Sequence, residues 1–380
     1  MTGLPGPTAP AAPTAPAAAS ASESAARSGL VVEEHDAVEE FEDEPLDGLV
    51  VPGGIRHHLA ELARLELAER LRGTRVSYLL ARDAARRPVG LLPYYRTSEP
   101  LPAAIAPDPA RGAATAPALL LGSPGAVANY LAVAPGLDPA GRRACGRLLV
   151  EHAMRADRTE PTAVTVMPYL TDTQRDLVPT ELLQAAQARA EPVARLDVDW
   201  PDFDAYVSSL AGSRRAGVRK ERRRFLARDI AVREEPVLDV CEEIAPLVLQ
   251  VEQRYGRGTT AGQIEFYLTG LGLAMEDSGF ALVARRGAEL LGACVIWERE
   301  GDWVIRCWGC DYALTDRESL YYNLVFYEPL VRAVERRVPR IHLGPHSIAT
   351  KRTRGCAVEE LHTLLLAPHG PSAPEPQPTF

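Results

Sequence analysis

The sequence has no run of about 18 uncharged apolar residues, the length that a membrane-spanning helix needs. Its start also lacks the basic and then apolar pattern that is typical of a secretory signal. We therefore expect a cytoplasmic protein without a membrane span. Aromatic residues are scarce, at 6% of the chain, but 46% of the 380 residues are apolar, which is enough to build two hydrophobic cores.

Acidic residues are concentrated at one end of the chain. The first 47 residues hold ten acids and one arginine, and this difference equals the net charge of −9 for the whole sequence. Residues 1–28 are mostly Ala, Pro, Ser and Thr and cannot bury enough apolar surface to fold. We predict a disordered tail over residues 1–47. Its acidic part is either solvated or docks reversibly on a basic helix elsewhere in the chain.

Cysteines are few, and their context does not favour disulfides. Six cysteines in a chain without a secretion signal indicate free thiols. Cys307 and Cys310, followed by His342 and His346, could suggest a metal or redox motif. Residues three apart on a strand point to opposite faces, however, and the two histidines would lie roughly 13 Å apart in an extended chain. We expect buried strand cysteines and no metal.

One order of predicted elements, a β-hairpin, a strand, a helix and a strand, occurs twice. The first copy is predicted at Val76–Ala81, Val89–Tyr95, Ala118–Leu121, Asp138–Asp157 and Ala163–Met167. The second is predicted at Phe280–Arg285, Leu290–Glu298, Trp303–Cys310, Ser319–Arg337 and Arg340–Leu343. The repeat predicts two domains of one α/β fold, over residues 48–192 and 193–368, joined near 193–201 and followed by a Pro-rich tail over 369–380.

A strongly basic helix is predicted over Ser213–Asp229. Residues 213–228 hold eight basic residues and one acid, and arginine outnumbers lysine seven to one. Arg215, Arg219 and Arg222 share one helical face, and Arg223 follows them. Because the planar fork of arginine suits phosphate oxygens, these four residues are candidates for phosphate binding. A solvated, charged helix face is the alternative. Outside the acidic end the charge is balanced, which favours a local anion site over a DNA-binding surface.

Several groups of residues resemble the Fem-like branch of the GNAT acyltransferases. They are Arg219–Arg224, Trp308–Cys310, Leu320–Tyr322, Phe326–Glu328, and Gly344 with Lys351 and Arg354–Gly355. The resemblance is closest to the group named for peptidoglycan biosynthesis or recognition, and it covers most of residues 48–368. It implies two tandem GNAT-like domains, each a mixed sheet flanked by helices. It also implies transfer of an acyl or aminoacyl group from acyl-CoA or aminoacyl-tRNA, as a co-substrate and not a permanent cofactor, to an amine.

The sequence departs from the common CoA signature of GNAT proteins, Arg/Gln-x-x-Gly-x-Gly/Ala. In the second half, residues 311–319 contain no glycine. The first half has a partial match to this signature, Gly141–Gly146, at the start of a predicted helix. There, free backbone amides with Arg142, Arg143 and Gly146 would hold a pyrophosphate. An ordinary helix N-terminus explains the same residues equally well.

Amine attack on an ester or thioester needs a proton acceptor, a stabilised oxyanion and a protonated leaving group. Asp311 and Glu298, each at the end of a predicted strand, are candidates for accepting the proton, although both could be ordinary strand-end carboxylates. Tyr322 is a candidate hydrogen-bond or proton donor, or else a core residue. By the resemblance, Lys351 and Arg354 would bind a substrate phosphate or carboxylate. Trp308 is a further candidate substrate contact.

Two functions from different classes remain open. The leading one is an N-acyltransferase that acts on the amine of a cell-wall precursor or of a specialised peptide-like metabolite, with a phosphate-bearing small molecule or tRNA as donor. The alternative is a non-catalytic binding or scaffold protein with a decayed acyltransferase fold. The missing CoA signature favours the alternative somewhat. A fold-level resemblance cannot by itself name the reaction.

Overall fold

A single 13-stranded sheet forms the centre of the computed structural model, which describes residues 29–49, 55–98, 101, 105, 117–123, 128–157, 162, 164–256, 258–299, 301–314 and 319–366. Its strands are β1 (Val31–His35), β2 (Arg75–Arg82), β3 (Pro88–Thr97), β4 (Ala118–Leu121), β5 (Ala132–Val133), β6 (Val164–Leu170), β7 (Gln187–Asp197), β8 (Ala231–Glu235), β9 (Gly279–Arg286), β10 (Glu289–Arg299), β11 (Asp302–Cys310), β12 (Arg340–Gly344) and β13 (Ala357–Leu366).

Helices flank this sheet. They are α1 (Ile55–Arg70), α2 (Pro139–Asp157), α3 (Asp172–Arg175), α4 (Thr180–Ala185), α5 (Phe203–Ser209), α6 (Gly212–Leu226), α7 (Val237–Arg254), α8 (Ala261–Met275), α9 (Leu320–Tyr322), α10 (Glu328–Arg336) and α11 (Ile348–Arg352). A π-helical segment, Asn323–Tyr327, joins α9 to α10. In the part of the chain that the structure describes, no helix is long and apolar enough to cross a membrane.

The two halves of the sheet repeat one strand pattern. In the first half β1, β2, β3 and β4 pair antiparallel in turn, and β4 pairs parallel with β6. In the second half β8, β9, β10 and β11 do the same, and β11 pairs parallel with β12. The repeated mixed α/β architecture predicted from the sequence is therefore confirmed, and its elements lie close to the predicted bounds.

The halves exchange their last strands. β7 follows the first half in sequence but pairs with β12 of the second, whereas β13 ends the second half and pairs with β6 of the first. β7 and β13 pair with each other at the centre of the sheet. The junction predicted near residues 193–201 thus overlaps a central strand, and the predicted boundary at residue 192 falls inside β7.

The acidic segment is part of the fold, which corrects the prediction of a disordered tail for residues 29–47. Strand β1 pairs with β2, and Val38, Phe41 and Leu46 are buried. Two of its carboxylates pair with Arg82 of the first half, which Glu33 and Glu44 each approach to 2.6 Å. This segment therefore folds because its apolar side chains are buried and its carboxylates have a buried partner in Arg82. The predicted tails over 1–28 and 369–380 lie outside the described residues.

Two long helices of the second half, α7 and α8, were not among the predicted elements. In α7, Val240, Ile244, Val248 and Val251 recur every three or four residues and are buried. This spacing is typical of a helix that packs one face on a core. Helix α7 packs on β11, and α8 packs on both α7 and α1 of the first half. The α1–α8 contact joins the halves away from the sheet.

Candidate functional site

The second half contains an opening where β11 and β12 diverge. These parallel strands pair only at Trp303–Ile341 and Val304–His342. Beyond these pairs lies a cavity of about 240 Å³, lined by residues 305–308 of β11 and residues 343–347 at and after the end of β12. Helix α7 and the α9–π segment supply the other walls. Adjacent parallel strands that separate in this way leave room for a ligand within the sheet.

A β-bulge shapes the β11 side of the cavity. Val295 of β10 lies opposite Cys307, but the next residue, Ile296, lies opposite Ile305. Arg306 is therefore the extra residue of β11. A bulge bends its strand and redirects side chains, and bulges are frequent beside active sites.

Lys351 lies at the edge of this cavity, and its substrate-binding role stays a prediction. Its Nζ donates hydrogen bonds to the carbonyl oxygens of Leu343, at 2.6 Å, and Gly344, at 3.0 Å. Gly344 has a φ of +72°, which lets β12 turn sharply at this point. Burial lowers the pKa of Lys351 to about 8. The ammonium is thus charged at neutral pH but can release its proton under mildly basic conditions.

Trp308 is the second predicted binding residue that lines the cavity. Its ring meets that of Tyr321 edge-on, with centroids 4.9 Å apart. Tyr321 also lines the cavity, so the two rings form an aromatic part of its wall. Such a wall can pack against the apolar part of a substrate.

Arg354 has internal partners, which corrects its predicted substrate-binding role, whereas the candidate proton-donor role of Tyr322 stays a prediction. The Arg354 guanidinium is 2% exposed, donates from Nη2 to both carboxylate oxygens of Glu221, at 3.1 and 3.0 Å, and lies 3.7 Å from the centre of the Tyr322 ring. Its Nε donates to the hydroxyl of Tyr327 at 3.2 Å. Arg354 and Tyr322 therefore tie the loop after α11 to α6 and to the helix that lines the cavity. A buried, fully engaged guanidinium cannot also reach a substrate.

Helix α6 divides its cations between the interior and solvent. Arg222 donates to Asn323 Oδ1 at 3.1 Å and to Glu328 Oε1 at 2.5 Å, and Arg215 donates to the Leu210 carbonyl at 3.1 Å. Arg219 and Arg223 are exposed. The predicted basic face is therefore not uniform: Arg215 and Arg222 hold α6 to its neighbours, and Arg219 points to solvent. Lys220 and Arg224 are also exposed.

The two predicted proton acceptors lie outside the cavity. Glu298 pairs with Trp303 at the hairpin end of β10 and β11, which is four residues, or roughly 13 Å, along the strand from the pairing of Trp308. Asp311 Oδ1 accepts hydrogen bonds from the backbone amides of Ala313, at 2.7 Å, and Leu314, at 3.3 Å. Asp311 therefore fixes the turn after β11, and Glu298 lies at the far end of the hairpin.

The sequence interpretation missed the carboxylate that does line the cavity. Glu252, near the end of α7, and His346, in the loop after β12, are both lining residues and potential proton acceptors. The amphipathic pattern of α7 would have placed Glu252 beside a buried face, but it does not reveal which strand that face covers. Cys307 lines the cavity too, and burial raises the pKa of its thiol to about 12, so it is no thiolate nucleophile.

The corresponding gap in the first half is closed by the chain itself. Asn129 is buried, and its Nδ2 donates to the carbonyls of Leu121, after which β4 ends, at 2.9 Å and of Pro168 in β6 at 2.8 Å. Its Oδ1 accepts from the amide of Leu131 at 2.8 Å. The Asn129 side chain thus bridges β4 and β6 where a ligand would otherwise enter.

The predicted pyrophosphate residues lie at a shallow hollow near the start of α2. Arg142 and Arg143 line a cavity of about 160 Å³ with residues of α3 and the turn after it. Asp138 Oδ1 already accepts from one of the amides at the start of the helix, that of Gly141, at 2.6 Å. Gly146 lies within the helix, where a Cβ would be 2.6 Å from the Leu177 carbonyl oxygen, so close packing explains this glycine. Pyrophosphate binding here stays a prediction.

The Cys307 and Cys310 pair with His342 and His346, for which we expected no metal, consists of separate side chains. Cys310 is buried, Cys307 is half-buried, and His342 Nε2 lies 3.1 Å from Asp302 Oδ2. Within the described ranges, no group of three His, Cys, Asp or Glu residues is arranged to hold a metal ion.

Comparisons with known proteins identify a family and a fold. The family model named FemAB-like, described as peptidoglycan biosynthesis/recognition, matches residues 142–368. The crystal structure of FemX is 10% identical, with a TM-score of 0.56 and coverage of 87% of this chain and 96% of that one. A conserved protein of unknown function from Bacteroides thetaiotaomicron VPI-5482 is 10% identical, with a TM-score of 0.55 and coverage of 88% and 100%.

A further solved structure, a tandem GNAT protein from the clavulanic acid biosynthesis pathway, is 14% identical, with coverage of 90% of this chain and 100% of that one and a TM-score of 0.49. No curated protein matches the sequence. At these identities the structural likenesses concern the fold alone.

Proposed function

This chain belongs to the FemAB-like family of peptidoglycan biosynthesis and recognition, and from that premise we propose that its second-half cavity transfers an acyl or aminoacyl group to an amine. One contrast carries the proposal. The gap between β11 and β12 is open and bordered by a buried lysine, whereas the equivalent gap between β4 and β6 is bridged by Asn129. The chemistry is therefore assigned to the second half.

The cavity residues provide the groups that such a transfer needs. The amine nitrogen attacks the donor carbonyl carbon, and the negative charge that develops on the carbonyl oxygen is stabilised by the Lys351 ammonium. Glu252 accepts the proton that the amine loses. When the C–O or C–S bond of the donor breaks, Lys351 supplies a proton to the leaving oxygen or sulfur, for which its pKa of about 8 is suitable. Lys351 then recovers a proton from solvent or from Glu252.

The donor is an aminoacyl-tRNA or an acyl-CoA. The exposed cations of α6, which include Arg219 and Arg223, favour a polyanionic donor, because a row of surface arginines can follow a phosphate backbone. Through Arg222 and Asn323, α6 is bonded to the helical segment beside the cavity wall. The acceptor is the amine of a cell-wall precursor or of a peptide-like metabolite.

The test is product formation by the full-length protein from bulk aminoacyl-tRNA and from a panel of acyl-CoA donors, in a salt series. Lys351→Met keeps the aliphatic stem and should lower the rate about 10²- to 10³-fold, because one oxyanion-stabilising group is lost. Arg219→Ala should weaken tRNA binding and flatten its salt dependence but leave acyl-CoA unaffected. Arg286→Gln, at the end of β9 away from the cavity lining, is the control. Full activity of Lys351→Met would contradict the assignment of the site to this cavity.

The pH profile is a second readout of the same experiment. The rate should rise with pH while the acceptor amine loses its proton, and then fall as pH passes about 8, because Lys351 becomes neutral there. The descending limb should be absent from the residual activity of Lys351→Met. An unchanged descending limb in that variant would assign the limb to another group.

A further inference from the structure

A second cavity, of about 330 Å³, lies over one face of four neighbouring strands, β11, β12, β7 and β13. Its lining residues alternate along β11, β12 and β13, as Arg340 and His342 of β12 do. Gly344, at the end of β12, lines this cavity as well as the one beside Lys351. We call it the central cavity, and a ligand that occupies it lies next to the candidate site.

Asp302 holds an arginine and a histidine side by side at the wall of the central cavity. Its Oδ1 accepts a hydrogen bond from Arg340 Nε at 2.9 Å, and its Oδ2 lies 3.1 Å from His342 Nε2. All three residues line the cavity. Because Arg340 and His342 are two residues apart on β12, they lie on the same face of the strand. One carboxylate thus fixes the positions of both side chains.

Both side chains keep polar atoms that a ligand can reach. Arg340 is 49% exposed, and its two Nη atoms have no hydrogen-bond partner among the described residues, because its bond to Asp302 uses Nε. A carboxylate can only accept, so His342 Nε2 carries a proton and the lone pair of the neutral ring is on Nδ1. The His342 side chain is 33% exposed. Neither this Nδ1 nor the Nη atoms of Arg340 are among the buried polar atoms without a partner, so all three are accessible.

The charges around the central cavity favour an anionic ligand. Its two lining carboxylates are both ion-paired: Asp302 as described, and Glu359 with Arg195, which also pairs with Asp197. Arg299, which is 5% exposed, adds a buried cation to the wall. The lining thus holds three arginines and two carboxylates. A wall with an excess of cations attracts an oxyanion, which a guanidinium binds through paired hydrogen bonds.

His342 can add a positive charge when an anion is present. Burial lowers the pKa of His342, and the nearby Arg299 and Arg340 lower it further, whereas Asp302 acts in the opposite direction. The ring is therefore neutral at neutral pH. An anion in contact with Nδ1 stabilises the imidazolium, so the pKa of His342 should rise when the anion binds.

We propose that Arg340 and His342 bind an oxyanion of the acceptor, a carboxylate or a phosphate, while the acceptor amine reaches the Lys351 cavity past Gly344. This inference rests on the proposed function and names the class of acceptor. His342 lies two residues, or roughly 7 Å, before Gly344 along β12. The amine and the oxyanion are then separated by about the length of two extended residues, more than a single α-amino acid provides. Asp302 is a positioning residue in this scheme.

NMR titration of the histidine ring protons in the full-length protein tests the site directly. His342→Gln identifies the His342 signal by its loss, and the remaining histidine signals show that each variant is folded. At constant ionic strength, sodium phosphate or alanyl-alanine should raise the pKa of His342 by about 1 relative to sodium chloride, as an opposite charge in contact does. Alanyl-alanine amide should leave it unchanged. Arg340→Gln should abolish the response to both anions, whereas Arg286→Gln should keep it.

A response to phosphate alone or to alanyl-alanine alone supports the site and identifies the oxyanion. Three results would overturn the proposal: neither anion changes the pKa of His342, the amide acts like the acid, or Arg340→Gln responds like the wild type.

Transfer assays separate this failure from that of the proposed function. Arg340→Gln should raise KM for an acid acceptor about 10-fold and leave KM for the donor unchanged, because a charged hydrogen bond to the acceptor alone is lost. Transfer without any response of His342 to either anion would remove the oxyanion site and keep the acyltransferase. An Arg340-dependent response of His342, without product from any donor, would keep the oxyanion site and remove the transferase.

Discussion

Arg354 and Glu221 form a buried ion pair that holds the candidate site together. Glu221 comes from α6, Arg354 follows α11, and the Tyr327 hydroxyl donates to the same carboxylate. Burial works against the charge on Arg354, but Tyr327 and Glu221 more than offset this effect and raise the pKa of the guanidinium. The pair therefore remains charged and depends on both partners being present.

Removal of one partner should be costly. Glu221→Gln leaves a guanidinium that is 2% exposed without its counter-charge, and we expect the free energy of unfolding to fall by about 3 kcal/mol. Urea unfolding measures the change. Glu335→Gln, an exposed glutamate on α10, is the matched control and should change stability by less than about 0.5 kcal/mol. If Glu221→Gln changed the free energy of unfolding by as little as the control does, the ion pair would not hold Arg354, and Arg354 could bind substrate.

The sequence predicts the residue types of this site better than their partners. Lys351 and Trp308 line the cavity, because they follow the local strand, helix and loop pattern, and their substrate-binding roles stay predictions. Arg354 belongs to the same loop, but its carboxylate lies 133 positions away, on a helix where Glu221 is the one acid among arginines. Sequence spacing cannot show which loop cation meets a distant carboxylate. Glu252 was missed for the same reason.

Asn129 makes the first half differ from the second, because its side chain fills the gap between the two parallel strands. Its side chain joins β4 to β6 and orders the segment that leads into β5. Gln174 of α3 completes the arrangement by donating to the carbonyls of Asn129, at 2.7 Å, and Leu131, at 2.8 Å. A buried polar set that is this well satisfied stiffens the sheet. The side chains of Asn129 and Gln174 therefore brace the first half where the second half has its cavity.

Asn129→Ala should destabilise the protein without changing the chemistry. It leaves two buried carbonyls and one buried amide unpaired, and we expect a loss of about 3 kcal/mol in the free energy of unfolding. Chemical denaturation measures the loss, with the exposed Gln187→Ala as control. Transfer per folded molecule should stay at the wild-type value. A folded Asn129→Ala protein without activity would place the first-half gap in the site after all.

Local patterns also determine which elements could be predicted. The hairpins and the helices α2 and α6 repeat their apolar or basic residues at short spacing, so each was found close to its observed bounds. Strand β7 was taken for a junction, because its sequence, QARAEPVARLD, alternates charged and small residues. Its partners, β12 and β13, are distant in sequence. Pairing between strands that are distant in sequence cannot be read from the spacing of apolar residues along one strand.

The exchange of β7 and β13 makes the two halves one cooperative structure. Leu364 and Leu365 end the second half in sequence, but they pack in the core of the first half. β13 also separates β6 from β7, so the sheet is continuous only when β13 is present. The α1–α8 contact and the pair between Glu61 and Arg306 add two more links between the halves. Neither half has a complete sheet from its own continuous sequence.

Truncation after Cys356 should therefore unfold the first half as well as the second. Without β13, the edges of β6 and β7 both lose their hydrogen-bond partners, and the first core loses Leu364 and Leu365. Hydrogen exchange with mass spectrometry should show lost protection in residues 164–170 and in residues 187–197. Truncation after Leu366 retains every described pair of β13 and should keep wild-type protection. If the shorter chain lost protection only within residues 187–356, the halves would fold independently, and the strand exchange would add little to the stability of the first.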